Sequence, residues 1–341
     1  MRNLYPIKFE SLSLEKVWGK ENFIISDLGL IDSVAKNGWL EGNSIGDIME
    51  TYLESIVGDG IFQRYGRQLP IQIKILEIKD RLSLQINPDD EIAAERYDSL
   101  GKSKLWYIME ASEDAKIYLG LKEKSDAQSM YEHCIKGSIE QKLNIIKPKK
   151  GDAFLIPAGT IHSTGGGLKI MEVAESSELN LRLYDWERAF DPEDPRGLHL
   201  EEAIDLINFK PYDPSLNLRP HNHDSLLVSI PEFNITKLVL SDTLHIYTEN
   251  YNSFIVYSCI EGEASILIDN EEYSLSSGES ILIPALMKDF FLSAKSTKPI
   301  LLETYLKLEE KLDNYIDPDT EPFLEGEDYD GLEDEDSEED E

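Results

Sequence analysis

The chain has 341 residues, of which 41% are hydrophobic and 29% charged, and its net charge is -34. That length suits two domains with a core each; the negative balance excludes nucleic acid and anionic membrane surfaces as partners, and no apolar run reaches the roughly 18 residues that span a bilayer. The first ten residues carry no apolar signal core, which makes the cytoplasm the expected location, and Cys134 and Cys259 are too few for a disulfide framework and read as small buried hydrophobes.

In chain order, helical spacing first appears over residues 44–56, opened by Ser44 as a cap. Period-two alternation over 70–76, 82–86, 115–120 and 168–172 predicts half-buried antiparallel strands. Asp89-Asp90, following Pro88, reads as a helix or turn cap, and a second helix is expected over 125–135. A Pro/Asp-rich stretch at 191–197 precedes a third helix over 200–207, and a polar, proline-broken connection then runs from Lys210 to His223. The domain boundary belongs there, and His221-x-His223 reads as a solvent-facing pair.

The resulting division is 1–190, a linker at 191–223, a second strand-rich block at 224–310 and an acidic tail at 311–341. Within the second block a hairpin turn is expected at Asp269-Asn270. Residues 321–341 hold 13 Asp and Glu and no Lys or Arg. Such a segment cannot bury enough apolar surface to fold; it reads as a disordered, solvating arm, with a basic protein as its candidate partner.

The most informative stretch is Gly151-Asp-Ala-Phe-Leu-Ile-Pro157-Ala-Gly159-Thr-Ile-His162. Gly151 permits a tight turn into an apolar strand, Pro157 and Gly159 turn the chain at its end, and His162 is delivered inward, where a neutral imidazole is a natural zinc or iron ligand. The pattern Gly-x5-Pro-x-Gly-x2-His resembles the second motif of the cupin fold. Gly278 to Pro284 repeats the Gly-x5-Pro spacing with Asp289 at the place of the histidine. The expected fold is therefore mainly β, two tandem cupin (jelly-roll) barrels with a few inserted helices, the second barrel without a metal motif.

A wider series occurs in one order: Lys16-Val-Trp-Gly19, Lys79-Asp-Arg-Leu-Ser-Leu-Gln85-Ile-Asn87-Pro-Asp-Asp90, Gly101-Lys102-Ser-Lys104-Leu-Trp-Tyr107, Ile156-Pro-Ala-Gly-Thr-Ile-His162 and Arg182-Leu-Tyr-Asp185. Over about residues 5 to 310 the chain resembles the short bacterial mannose-6-phosphate isomerases of the type I class. The resemblance implies interconversion of mannose 6-phosphate and fructose 6-phosphate through an enediolate, one zinc ion stabilising the developing charge. It places zinc ligands at Gln85, Asn87, Lys104 and His162, and basic residues that bind or polarise the sugar phosphate at Lys102 and Arg182.

Two of these four ligand positions depart from the family, which has a histidine at Asn87 and a glutamate at Lys104. An amide oxygen is a poor exchange for imidazole on zinc. A protonated lysine has no lone pair, and at ~4 Å it turns attraction into repulsion of about 4 kcal/mol per unit charge at an effective dielectric of about 20. The expectation is a degraded site, with the Lys104 ammonium in part of the zinc space and donating to Gln85 and Asn87. The segment from Glu172 to Glu178 also departs from the family's polar Glu-Thr-Gln-Gln-x-Ser-Asp run. The alternative to an isomerase is thus a catalytically inactive homologue that binds a sugar phosphate or regulates.

Overall fold

The structure, a computed structural model, describes residues 3–190, 197–219 and 222–308. Residues 191–196 of the expected linker, His221 of the His221-x-His223 pair and the expected tail at 311–341 lie outside the described residues. Four antiparallel sheets account for most of the regular structure.

A seven-stranded sheet has the order Asn217–Leu218, Ala153–Ile156, Lys104–Ala111, Leu168–Glu175, Ile71–Ile78, Gly19–Ile25, Leu12–Lys16. One of its faces packs on a five-stranded sheet, ordered Leu181–Tyr184, Leu84–Ile86, His162–Gly165, Lys116–Leu121, Leu143–Ile146, through a core that includes Trp106, Ile108, Ile117, Leu119 and Ile170. The second sheet pair has six and four strands and closes on Tyr257, Ile266, Ile281, Phe290 and Leu292. The fold is mainly β, as expected, with cupin-like sheet pairing.

Between the pairs, the outer faces of the seven- and six-stranded sheets share the largest core, where Ile73, Met171 and Val173 meet Val256, Leu282 and Leu302. The strand Ile7–Lys8 pairs with Ser280–Ile283 and so lies in the C-terminal sheet pair. Because the seven-stranded sheet is covered on both sides, the alternation in its sequence does not mark a wet face. Ile71–Ile78 is buried almost throughout, and Gln72 and Lys74, which half-buried strands would send to solvent, are 0% and 1% exposed. That corrects the half-buried expectation for this strand.

Local signals place the connections. Ser44 closes a capping box with Asp47 at the head of Ile45–Tyr52, and the helical spacing is broken at Leu53, whose φ of 42° starts a separate turn, Glu54–Val57. Asp89 caps Asp90–Tyr97 by accepting from the Ile92 amide, and Asp126 caps Ala127–Ile135. The third expected helix forms as Leu200–Asp205. Asp269 and Asn270 both take positive φ, as a two-residue hairpin loop requires.

Candidate functional site

His162 opens its strand, 0% exposed, and faces the interior between the seven- and five-stranded sheets. The turn before it depends on Gly159, with φ of 77°, where a Cβ would stand 3.1 Å from the Leu206 carbonyl oxygen. Its amide donates to the Asn87 carbonyl at 2.9 Å, tying the motif to the end of Leu84–Ile86. Strand register then sets Arg182, Gln85, His162 and Leu119 side by side on one face. Across the interior, Lys74, Glu172, Trp106 and Phe154 form a second row, and Lys104 lies two residues before Trp106 on the same face.

The imidazole tautomer follows from its partners. Nδ1–H donates to the Thr160 carbonyl at 2.8 Å, leaving the Nε2 lone pair directed inward. Two donors converge on that nitrogen at 3.3 Å each, the Lys104 Nζ and the Gln85 side-chain amide. Trp106 packs edge-on against the ring with centroids 5.4 Å apart and donates its indole N–H to Glu172 Oε2 at 2.8 Å. Glu172 Oε2 in turn lies 3.9 Å from the Lys104 ammonium.

Burial, and then the charge of Lys104, hold the His162 pKa well below the ordinary histidine value, so the ring is neutral. Burial pushes the Glu172 carboxyl up, but Lys104, Lys74 and Lys102 together outweigh it and hold the group down at about 2. Lys104 itself is lowered by burial, with Glu172 opposing. Lys74 is desolvated as well, but it bonds Glu21 at 3.1 Å and Glu178 at 2.8 Å, and those carboxylates raise it. Lys102, 3.9 Å from Glu178 Oε1, is pushed down to about 7, first by burial and then by Lys74 and Lys104, which outweigh that carboxylate.

The expected site residues are therefore only partly brought together. Gln85, His162 and Lys104 converge. Asn87 does not: its amide donates to the Leu179 carbonyl at 2.5 Å and to Asn180 Oδ1 at 3.0 Å, and its own Oδ1 is buried without a hydrogen-bond partner. In place of the expected donations to Gln85 and Asn87, Lys104 approaches His162 Nε2, whose lone pair is the stronger acceptor, and Gln85 directs its own amide at the same nitrogen. Lys102 is 1% exposed and donates to the carbonyl of Ser177, which lines a cleft of 790 Å³. Arg182 is half-buried, and its Nε–H donates to the Gly197 carbonyl at 3.0 Å; Arg188 pairs with Asp185 at 2.9 Å.

Zinc, which the resemblance implies, does not fit these residues. The one imidazole lone pair is directed at an ammonium, and Asn87 turns away. Among the described residues no group of three or more His, Cys, Asp or Glu could hold a metal ion. In the second sheet pair Asp289, at the repeat position of His162, points outward with its side chain 46% exposed and bonds His245 at 2.6 Å, while Phe290 fills the interior. Both strands begin five residues after their prolines, so equal spacing preserved the strand start but not its facing.

The sequence reading missed Lys74 as a site neighbour and gave Glu172 no role. Their signal was a charge flanked by apolar residues in each strand, Lys74 between Ile73 and Ile75 and Glu172 between Met171 and Val173, opposite in sign; what it lacked was the register that sets them face to face.

A family model described as "Mannose-6-phosphate isomerase, cupin domain" matches residues 225–298. A mannose-6-phosphate isomerase of Streptococcus mutans is 30% identical over 261 residues, 76% of this chain and 80% of that one. A Bacillus subtilis mannose-6-phosphate isomerase is 28% identical over 311 residues, covering 84% and 95%. Among solved structures, the mannose 6-phosphate isomerase from Bacillus subtilis superposes with a TM-score of 0.75 at 24% identity, over 89% of this chain and all of that one. By its sequence similarity to these relatives, and in keeping with its fold, the chain belongs to the mannose-6-phosphate isomerase family.

Proposed function

We propose that this chain is a non-catalytic member of its family, which keeps the isomerase fold and binds a sugar phosphate in a sensing or regulatory role. The observation that carries this reading is the Lys104 ammonium at 3.3 Å from His162 Nε2, where a metal would need the lone pair. Aldose-ketose proton transfer without a cation on the sugar oxygens loses the main stabilisation of its enediolate.

Arg182, opposite Gln85 and half-buried, is the residue suited to hold an anionic ligand. Approach through the neighbouring cleft is disfavoured for a phosphate, since Asp27, Asp32, Asp47, Glu50, Asp98 and Glu178 line it against Arg67 alone among Lys and Arg. The working division keeps 1–190 as the site-bearing domain and 224–310 as its structural partner. A coupled assay of mannose 6-phosphate conversion, with zinc added and a chelator control, tests the reading. No turnover is expected; turnover abolished by the chelator and by His162→Ala would overturn it.

A further inference from the structure

We propose that the cleft beside the helix Ile45–Tyr52 binds a linear alkyl polyamine, one ammonium of which sits between Asp27 and Asp32 over Gly46. The inference goes beyond the proposed function and does not depend on it. Each carboxylate is fixed through one oxygen and bare at the other. Asp27 Oδ2 accepts from the Leu69 amide at 2.7 Å, and Asp32 Oδ1 accepts from the Leu28 and Gly29 amides at 2.8 and 2.6 Å. Among the described residues Asp27 Oδ1 and Asp32 Oδ2 have no hydrogen-bond partner, although Asp27 is only 9% exposed. Both bare oxygens face one point: a Cβ added to Gly46 would stand 3.7 Å from Asp27 Oδ1, 3.4 Å from Asp32 Oδ2 and 3.9 Å from Ser44 Oγ.

A carboxylate this far out of water is costly without a counterion. Burial pushes the Asp27 carboxyl up to about 6, the Leu69 amide opposing and Asp32 adding to the rise, so at neutral pH the group is ionised and its charge is unmatched. Arg67, the one Lys or Arg among the residues that line the cleft, is paired with Glu50 at 3.6 Å. The start of Ile45–Tyr52 contributes about half a positive charge, less than the two carboxylates supply. Three oxygens around one point match the three N–H donors of a primary ammonium. Calcium takes about six to eight oxygens, and among the described residues no group of three or more His, Cys, Asp or Glu could hold a metal ion. Tyr97 and Asp98 line the same 790 Å³ cleft, and an aromatic face with a further carboxylate in one concavity suits methylenes that carry more than one ammonium.

The test is calorimetric titration of the full chain with spermidine at physiological salt, which screens loose association with the acidic residues of 321–341. Wild type should bind one equivalent in a saturable isotherm. Gly46→Ala puts a methyl on the cradle, meets nothing closer than 3.4 Å and favours the helix. It should weaken binding about tenfold or more, as loss of a charge-assisted contact predicts. Asp27→Asn keeps an acceptor for the Leu69 amide, removes the charge and should weaken binding to a similar extent. Asp242→Asn, which removes an equal charge from an exposed residue of the second sheet pair's surface, should leave the affinity unchanged.

Binding that Gly46→Ala and Asp27→Asn leave intact, or no saturable binding by wild type, overturns the proposal. So does displacement of spermidine by an equal concentration of Ca2+, which would make the site a metal's. Tighter binding of a capped tetralysine peptide than of spermidine overturns it as well, since the cleft would then serve a basic protein. Turnover of mannose 6-phosphate by wild type would remove the functional reading and leave this inference standing; failure of spermidine binding would do the reverse.

Discussion

Five residues beyond Pro157 the first sheet pair buries His162, whereas five residues beyond Pro284 the second leaves Asp289 exposed and turns Phe290 inward. Both interiors also hold a carboxylate, and the two are treated oppositely. Glu172 sits among Lys74, Lys102 and Lys104 and is kept ionised, its pKa down at about 2 after burial is outweighed. Glu303 accepts from the phenols of Tyr251 and Tyr257 at 2.9 and 2.7 Å; burial raises its pKa and the phenols only partly oppose it. A jelly-roll interior can hold an acid either by countercharge or by neutral donors, and only the first arrangement keeps a strong local charge where a reacting ligand would sit.

The largest expected effect breaks the charged interior. Glu172→Gln leaves the buried Lys104 ammonium without its carboxylate, and urea unfolding should show a loss of roughly 3 to 5 kcal/mol. Glu172→Leu combined with Lys104→Met should recover much of that, since a missing pair is better tolerated than a stranded charge. A single variant no weaker than a surface substitution would mean that the ion cluster does not hold the interior together.

Next in size is the apolar counterpart. Phe290→Ala empties a buried site in the second core and should cost about 3 to 5 kcal/mol, read from the urea midpoint at constant slope. A much smaller loss would argue that Phe290 does not fill the space that His162 fills in the first pair.

Glu175 sharpens the comparison from the opposite direction, because it is a buried acid with neither solution complete. Its Oε2 accepts from the Ser103 amide at 2.6 Å, but Oε1 has no partner, and burial first, then Asp90, push its pKa up to about 9. Ionisation is easier in the unfolded chain, so this group's stability is full below the ordinary carboxylate range and is lost as pH rises toward about 9. Glu175→Gln should raise stability at pH 8 on the order of 2 kcal/mol and flatten the decline across that window. An unchanged pH profile would remove the acid from the account. Smallest of all, Asp289→Ala on the exposed His245 pair should change stability by less than about 1 kcal/mol.

Much of this was legible in the sequence where the physics is local. Ser44, Asp89 and Asp126 announce their helices because a cap acts within three residues, and Asp269-Asn270 announces its turn through the positive φ that both residues tolerate. The departures at Asn87 and Lys104 were visible through the family motif, as was the convergence of Gln85 with His162. What was not legible is set by partners distant in sequence. Lys74 reads as a wet strand residue until the sheet is seen to be covered on both faces, and its pairing with Glu172 needs a register between strands almost 100 residues apart. The repeat at Gly278 to Pro284 fixes spacing but not facing, so Asp289 read as the counterpart of His162 although its side chain turns the other way.

The most direct measurement is the zinc content of the unmodified full chain after equilibration with excess zinc and desalting, read beside His162→Ala. If Lys104 holds the His162 lone pair, both proteins retain only trace, equal amounts of zinc. Stoichiometric zinc in the wild type that disappears in His162→Ala would contradict the account.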